Sequence, residues 1–259
     1  MRSQTVIGAM VAALAVGAAA VHAQEAVYKA PTPADWTAMA KLPDFSGVWE
    51  AGGGGGGGRG GGRAGGPPAG PQLTPAAEAR RKELQSKNAQ DSQTANCLPP
   101  GMPGIMGQPY PIEFLLTPGK VTLVIEAYQQ VRHIYTDGRP LPADPDLKFH
   151  GTSIGKWEGD TLVVETIGFS PLTELGRNIP HSGKMRIVER FRLADAENMS
   201  IETTITDPDV LRAPLTSTRN LRRHRNWTTS EYICEENNRN FVDDSGKAGI
   251  NLGQPGTQK

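Results

Sequence analysis

Ser153-Ile-Gly-Lys-Trp-Glu-Gly-Asp-Thr-Leu-Val-Val-Glu-Thr166 reads as two β-strands folded around a tight Glu158-Gly159-Asp160 turn. The same period of two continues on both sides of it. Candidate strands are Ile112–Leu116, Val121–Ala127, Val131–Thr136, Thr152–Trp157, Thr161–Ile167, Met185–Leu193, Met199–Thr206, Leu215–Arg222 and Glu231–Cys234. Turn chemistry separates them: Pro118-Gly119, Asp137-Gly138, Ala196-Glu197-Asn198 and Asp207-Pro208-Asp209. Short links make sequential strands antiparallel neighbours, and no long helical crossover intervenes, so a doubly wound parallel sheet is disfavoured. A meander of eight or more strands must hide its two edges, and closing into a barrel does so most simply. The expected class is therefore all-β with one short helix, an antiparallel meander closed into a β-barrel. A barrel of this size has room for one small ligand.

Upstream, Arg2 precedes an uncharged stretch from Thr5 to Val21 and then Val21-His22-Ala23, the pattern of a signal peptide over residues 1–23 cleaved after Ala23. The expected location is periplasmic or secreted, with no integral membrane span once the leader is removed. Residues 24–50 form an arm and a first strand, and 51–73 a Gly/Pro-rich flexible linker that cannot bury apolar area. Over 74–96, Thr74-Pro75 opens a surface helix with a cap and a pre-set φ, ending near Lys87 and followed by a loop. The barrel domain is 97–240, and 241–259 reads as a disordered tail. With 27 basic and 27 acidic side chains there is no global field for nucleic acid. The Arg59 and Arg63 glycine run and the Arg222-Arg223-His224-Arg225 cluster are too sparse to change that. Cys97 and Cys234 are the two cysteines, and in an exported chain they read as one disulfide. It would close a loop of about 138 residues, worth up to roughly 5 kcal/mol.

Function is less legible than fold. An ionisable group on an apolar strand face is the informative anomaly. Glu189 lies among Ile187, Phe191 and Leu193; Glu165 is on the parity of Val163 and Ile167; Glu126 is on that of Thr122 and Val124; His133 is on that of Val131 and Tyr135. Gathered in a lumen, raised carboxyls beside a histidine are the ingredients of general acid–base catalysis, with Glu189 or Glu165 as acid or base and His133 as partner. The competing reading pairs each glutamate with Arg132, Arg190 or Arg219 as a register lock. Trp49, Glu126, Tyr135, Asp137, Arg139 and Trp157 are candidate ligand-binding residues, Asp137 and Arg139 at a barrel mouth. His150 and His181 read as surface histidines. No metal motif and no cofactor-binding motif stands in the sequence, and a small-molecule ligand is the expected partner. Oligomeric state is not readable.

Phe45-Ser-Gly47-Val-Trp49 resembles the Gly-x-Trp opening strand of lipocalin-like barrels. That resemblance implies a Trp closing one end beneath a late-strand cation, here Arg219, Arg222 or Arg223. Leu42-Pro-Asp-Phe-Ser-Gly-Val-Trp49, Cys97-Leu-Pro-Pro-Gly-Met-Pro103, Ile134-Tyr-Thr-Asp-Gly-Arg-Pro140, Trp157-Glu-Gly-Asp-Thr-Leu-Val-Val-Glu-Thr166 and Glu231-Tyr-Ile-Cys-Glu-Glu-Asn237 together resemble a group of secreted bacterial proteins over most of residues 42–240. That group lends no activity and no catalytic residue. Three functions follow in order: an exported binder of an apolar or amphipathic small molecule; a cofactor-independent lyase, hydratase or isomerase; and a structural or envelope-interaction protein with a filled barrel.

Overall fold

The computed structural model describes residues 30–51, 70–86, 97–176, 178–234, 240–242 and 248–250. The leader over 1–23 and the glycine-rich residues 52–69 lie outside the described residues. Helix α1 is Pro33–Met39, capped reciprocally by Thr32 and Asp35. It falls within the segment read only as an arm. Helix α2, Pro75–Ser86, starts where Thr74-Pro75 predicts, and Thr74 Oγ1 accepts from Ala77 N at 3.3 Å.

The strands are β1 Gly47–Ala51, β2 Ile112–Thr117, β3 Lys120–Ile125, β4 Gln130–Tyr135, β5 Thr152–Glu158, β6 Thr161–Ile167, β7 Glu174–Gly176, β8 Ile179–Pro180, β9 Arg186–Leu193, β10 Asn198–Thr206, β11 Leu215–His224, β12 Asn240–Val242 and β13 Ala248–Ile250. Nine of them close a barrel in the order β1-β11-β10-β9-β6-β5-β4-β3-β2. Strand β1 completes it by pairing with both β11 and β2. Two small sheets, β7 with β8 and β12 with β13, stand apart from it. Apart from Asn240, the second lies within the stretch expected to be a disordered tail.

Two features of the meander need correction. Glu231–Cys234 forms no strand. The N-terminal β1 occupies the free side of β11, so no edge is left for a further strand to join. The β4–β5 pair is parallel, through Ile134 with Ser153 and Tyr135 with Ile154. The 136–151 link doubles back, so that β5 sets out beside the last two residues of β4 in the same direction. Its return is tight: Gly151 has φ +64°, and a Cβ there would sit 2.5 Å from the Ile167 carbonyl oxygen. Only glycine fits that backbone.

The centre of the barrel interior is closely filled. Trp49, Phe114, Leu123, Ile134, Leu162, Val164, Ile187 and Phe191 each expose 0% of their surface. A side chain with no surface that water can reach borders no void large enough for a water molecule. Met102, Ile105 and Met106, from the irregular stretch before β2, join the same cluster. Arg219 of β11 donates to the carbonyls of Met106 and Gln108 and fixes that stretch on the barrel.

Candidate functional site

Four neighbouring strands contribute one polar residue each to the interior: Arg132 from β4, Ser153 from β5, Thr166 from β6 and Glu189 from β9. None exposes more than 2%. The Arg132 guanidinium forks onto both oxygens of Glu189, with Nη1 to Oε1 at 3.2 Å and Nη2 to Oε2. It also reaches Ser153 Oγ from Nε and Nη2 at 3.3 Å, and Thr166 Oγ1 from Nη2 at 3.0 Å. Ser153 and Thr166 hydroxyls are 2.9 Å apart. Burial of a charge is tolerated when its partner and its hydrogen bonds are all supplied, as they are here.

Glu189 is thus inside, as the alternation of β9 predicts, and its partner is Arg132. The other acids are not inside. β4 presents Arg132 and Ile134 to the interior, so His133 and Tyr135 lie on the outer wall. His133 contacts Thr122 Oγ1 through Nδ1 at 3.2 Å. On β6 the inward parity is Leu162, Val164 and Thr166, which turns Glu165 outward, half-exposed, to pair with Arg186. Glu126 follows β3 and accepts from Ser230 N at 2.8 Å. Glu189, Glu165 and His133 therefore do not converge, and the proposed acid–base dyad has no geometry to work with. A one-residue change of register separates the two arrangements.

The remaining candidates are structural in position. Asp137 and Arg139 bind each other, with Arg139 Nε to Asp137 Oδ1 at 2.9 Å. That bond holds the Asp137 carboxyl below its usual range. The Arg139 guanidinium lies 3.9 Å above the Tyr135 ring. Trp157 is partly buried with its ring 5.1 Å from that of Phe45. Trp49 is sealed beneath Arg223, whose guanidinium is 4.5 Å from the ring centroid, and Trp49 Nε1 donates to the Phe45 carbonyl at 2.9 Å. The cation implied by the Gly-x-Trp resemblance is thus Arg223. Cys97 and Cys234 are joined, across 137 residues. Among the described residues no group of His, Cys, Asp or Glu is arranged to hold a metal ion, and no helix is long and apolar enough to cross a membrane.

His150 corrects another expectation, being 9% exposed rather than a surface histidine. It sits before Gly151, beside the incomplete β4–β5 ladder, with a hydrogen bond to the Val131 backbone and a buried, unpartnered Nε2. Burial, and after it the charge of Arg132, pushes its pKa down to about 4. The unfolded chain protonates this imidazole near pH 6.5 and the folded chain only near 4. Its contribution to stability is therefore complete above about pH 6.5 and is lost as the pH falls toward 4, by about 3 kcal/mol in all. Urea unfolding at pH 7 and pH 4.5 should show a smaller loss for His150→Gln than for the wild type; equal losses would refute this assignment. His181 is likewise held, with Nδ1 2.8 Å from the Ser182 carbonyl oxygen and Nε2 2.9 Å from that of Ser170.

Two surface features were not anticipated. A groove of about 550 Å³ runs beside α2, bordered by Gln72, Leu73, Glu78, Lys82 and Arg212. Three tyrosines, Tyr110, Tyr128 and Tyr232, cluster around Glu126 and the irregular segment after β11. Tyr110 and Tyr128 lie just outside strand ends, where period-two reading has no purchase. No protein-family model matches the chain, and no curated protein or solved structure is significantly similar to it.

Proposed function

We propose that the protein is an exported β-barrel that works by binding at its surface, with a filled lumen serving as a rigid support. The sealed interior carries this reading: eight lining side chains from six strands of the barrel have no reachable surface. A lumenal ligand site needs concave space of hundreds of Å³, and the apolar side chains occupy it. Acid–base turnover in the barrel needs a carboxylate within hydrogen-bonding reach of a substrate, whereas both oxygens of Glu189 are engaged by Arg132. Export is supported by the leader-like N-terminus and by the disulfide, a linkage that persists in oxidising compartments.

The reading is tested with N-phenyl-1-naphthylamine, an apolar fluorophore that brightens on entering a protein cavity. The purified, disulfide-intact protein should show no saturable brightening. Saturable one-to-one uptake that Val164→Trp blocks would instead place a small apolar ligand in the lumen and restore the carrier reading.

A further inference from the structure

The segment from Arg225 to Cys234 contains no helix or strand, yet it is held against the barrel by a distinct set of contacts. The Tyr232 ring packs between two others. Its centroid is 5.2 Å from that of Tyr110, at an interplanar angle of 88°, and 5.1 Å from that of Tyr128, at 43°. The Tyr232 phenol neighbours those of Tyr110 and Tyr128, and burial followed by this neighbour pushes the Tyr128 pKa up to about 12. Two residues earlier, Ser230 N donates to Glu126 Oε2 at 2.8 Å. Among the described residues, the only backbone-to-backbone hydrogen bond in this segment is Trp227 N to the His224 carbonyl, at 3.3 Å.

The two sides of this contact are unlike. Tyr110 directly precedes Pro111 and β2, and Glu126 to Gln129 link β3 to β4, so the receiving side is fixed by the barrel. Its backbone is also strained: Tyr128 and Gln129 have φ of 58° and 48°, a left-handed conformation that two consecutive non-glycine residues seldom share. Strain of this kind persists where the surrounding structure imposes it, and it concentrates at ligand clamps. Here it sets the Tyr128 ring against Tyr232. The occupying side is irregular, with Trp227 and Ile233 43% and 47% exposed.

We propose that Tyr110, Tyr128 and Glu126 form a recognition site for a peptide segment that presents a backbone N–H two residues before a tyrosine ring, and that the chain's own Ser230-Glu231-Tyr232 fills it as a tethered competitor. This deepens the proposed surface function, since it names the partner's chemistry. The disulfide at Cys234 keeps the competitor close, at an effective concentration in the millimolar range, so an outside peptide must outcompete a local one.

The probe is acetyl-Ser-Glu-Tyr-Ile-amide, titrated into the ¹⁵N-labelled, disulfide-intact protein and followed by amide shifts. Tyr232→Ala should bind it at least tenfold more tightly than the wild type. Glu126→Gln in that background should weaken the peptide about fivefold and leave p-cresol unaffected. In the wild type, millimolar peptide should move the Ser230 amide resonance toward its solvent-exposed position, an arm that needs no variant to fold. Equal peptide affinity with and without Tyr232 overturns the proposal. So does equal binding of the peptide with Ala in place of Tyr, binding of p-cresol as tight as the peptide's, or a Ser230 resonance that never moves. These outcomes are independent of fluorophore uptake by the lumen, so failure of the site and failure of the filled-barrel reading are distinguishable.

Discussion

Arg132→Met should lower the free energy of unfolding by about 3–5 kcal/mol, whereas Arg132→Met combined with Glu189→Leu should cost little or even stabilise. The single change leaves the Glu189 carboxylate in an interior that exposes 1% of it, with the fork of the guanidinium gone. The double change removes both charges and substitutes apolar bulk in a core already lined by Ile134, Ile187 and Phe191. Ser153 and Thr166 keep their mutual hydrogen bond in either variant, which limits the remaining penalty. Urea unfolding of the two singles and the double closes a mutant cycle, and additive losses would show that the pair is not coupled.

Trp49→Ala should cost about 3–5 kcal/mol, the range for truncating a sealed aromatic. The loss has two sources. One is the void left among Phe45, Phe114 and the Trp49 position itself, where Trp49 and Phe114 meet edge to face at 6.4 Å. The other is Arg223, only 6% exposed, which loses the ring beneath its guanidinium while remaining tied to the Asp44 carbonyl and, at 3.2 Å, its carboxylate. Trp49→Phe keeps a ring but leaves the Phe45 carbonyl without the indole N–H, and should fall between. Near-UV circular dichroism with urea unfolding distinguishes these; an Ala variant as stable as the Phe variant would show that a ring at this position adds no stability, overturning the prediction.

The strand set was legible because turn residues punctuate it and because β9 and β10 alternate cleanly. Ile187, Glu189 and Phe191 needed only their parity to be placed inside. Faces failed where both parities are apolar. In β6, Leu162, Val163, Val164 and Ile167 allow either assignment, and the buried hydroxyl of Thr166 decides it. In β4 the usual expectation that arginine points to water is inverted by Glu189, a partner 57 residues away. No local pattern contains that distance. Sequence could pose the problem, since a carboxylate among apolar neighbours demands a cation, and Arg132 was among the cations available to it. It could not supply the depth of His150, which depends on a link that doubles back, or the meeting of Tyr110, Tyr128 and Tyr232, which come from three separate irregular stretches. The strand expected at Glu231–Cys234 failed for a similar reason, because β1 comes from beyond the glycine-rich segment to take the last open edge.

The two-residue overlap between β4 and β5 has a mechanical consequence. Everywhere else the cylinder is laced by longer antiparallel ladders, so this is the stave joint where thermal breathing should begin and where amide protons should exchange soonest. Arg132 lies beside that joint and spans it, bolting β4 through Ser153 and Thr166 to β9 with side chains where the main chain has run out of rungs.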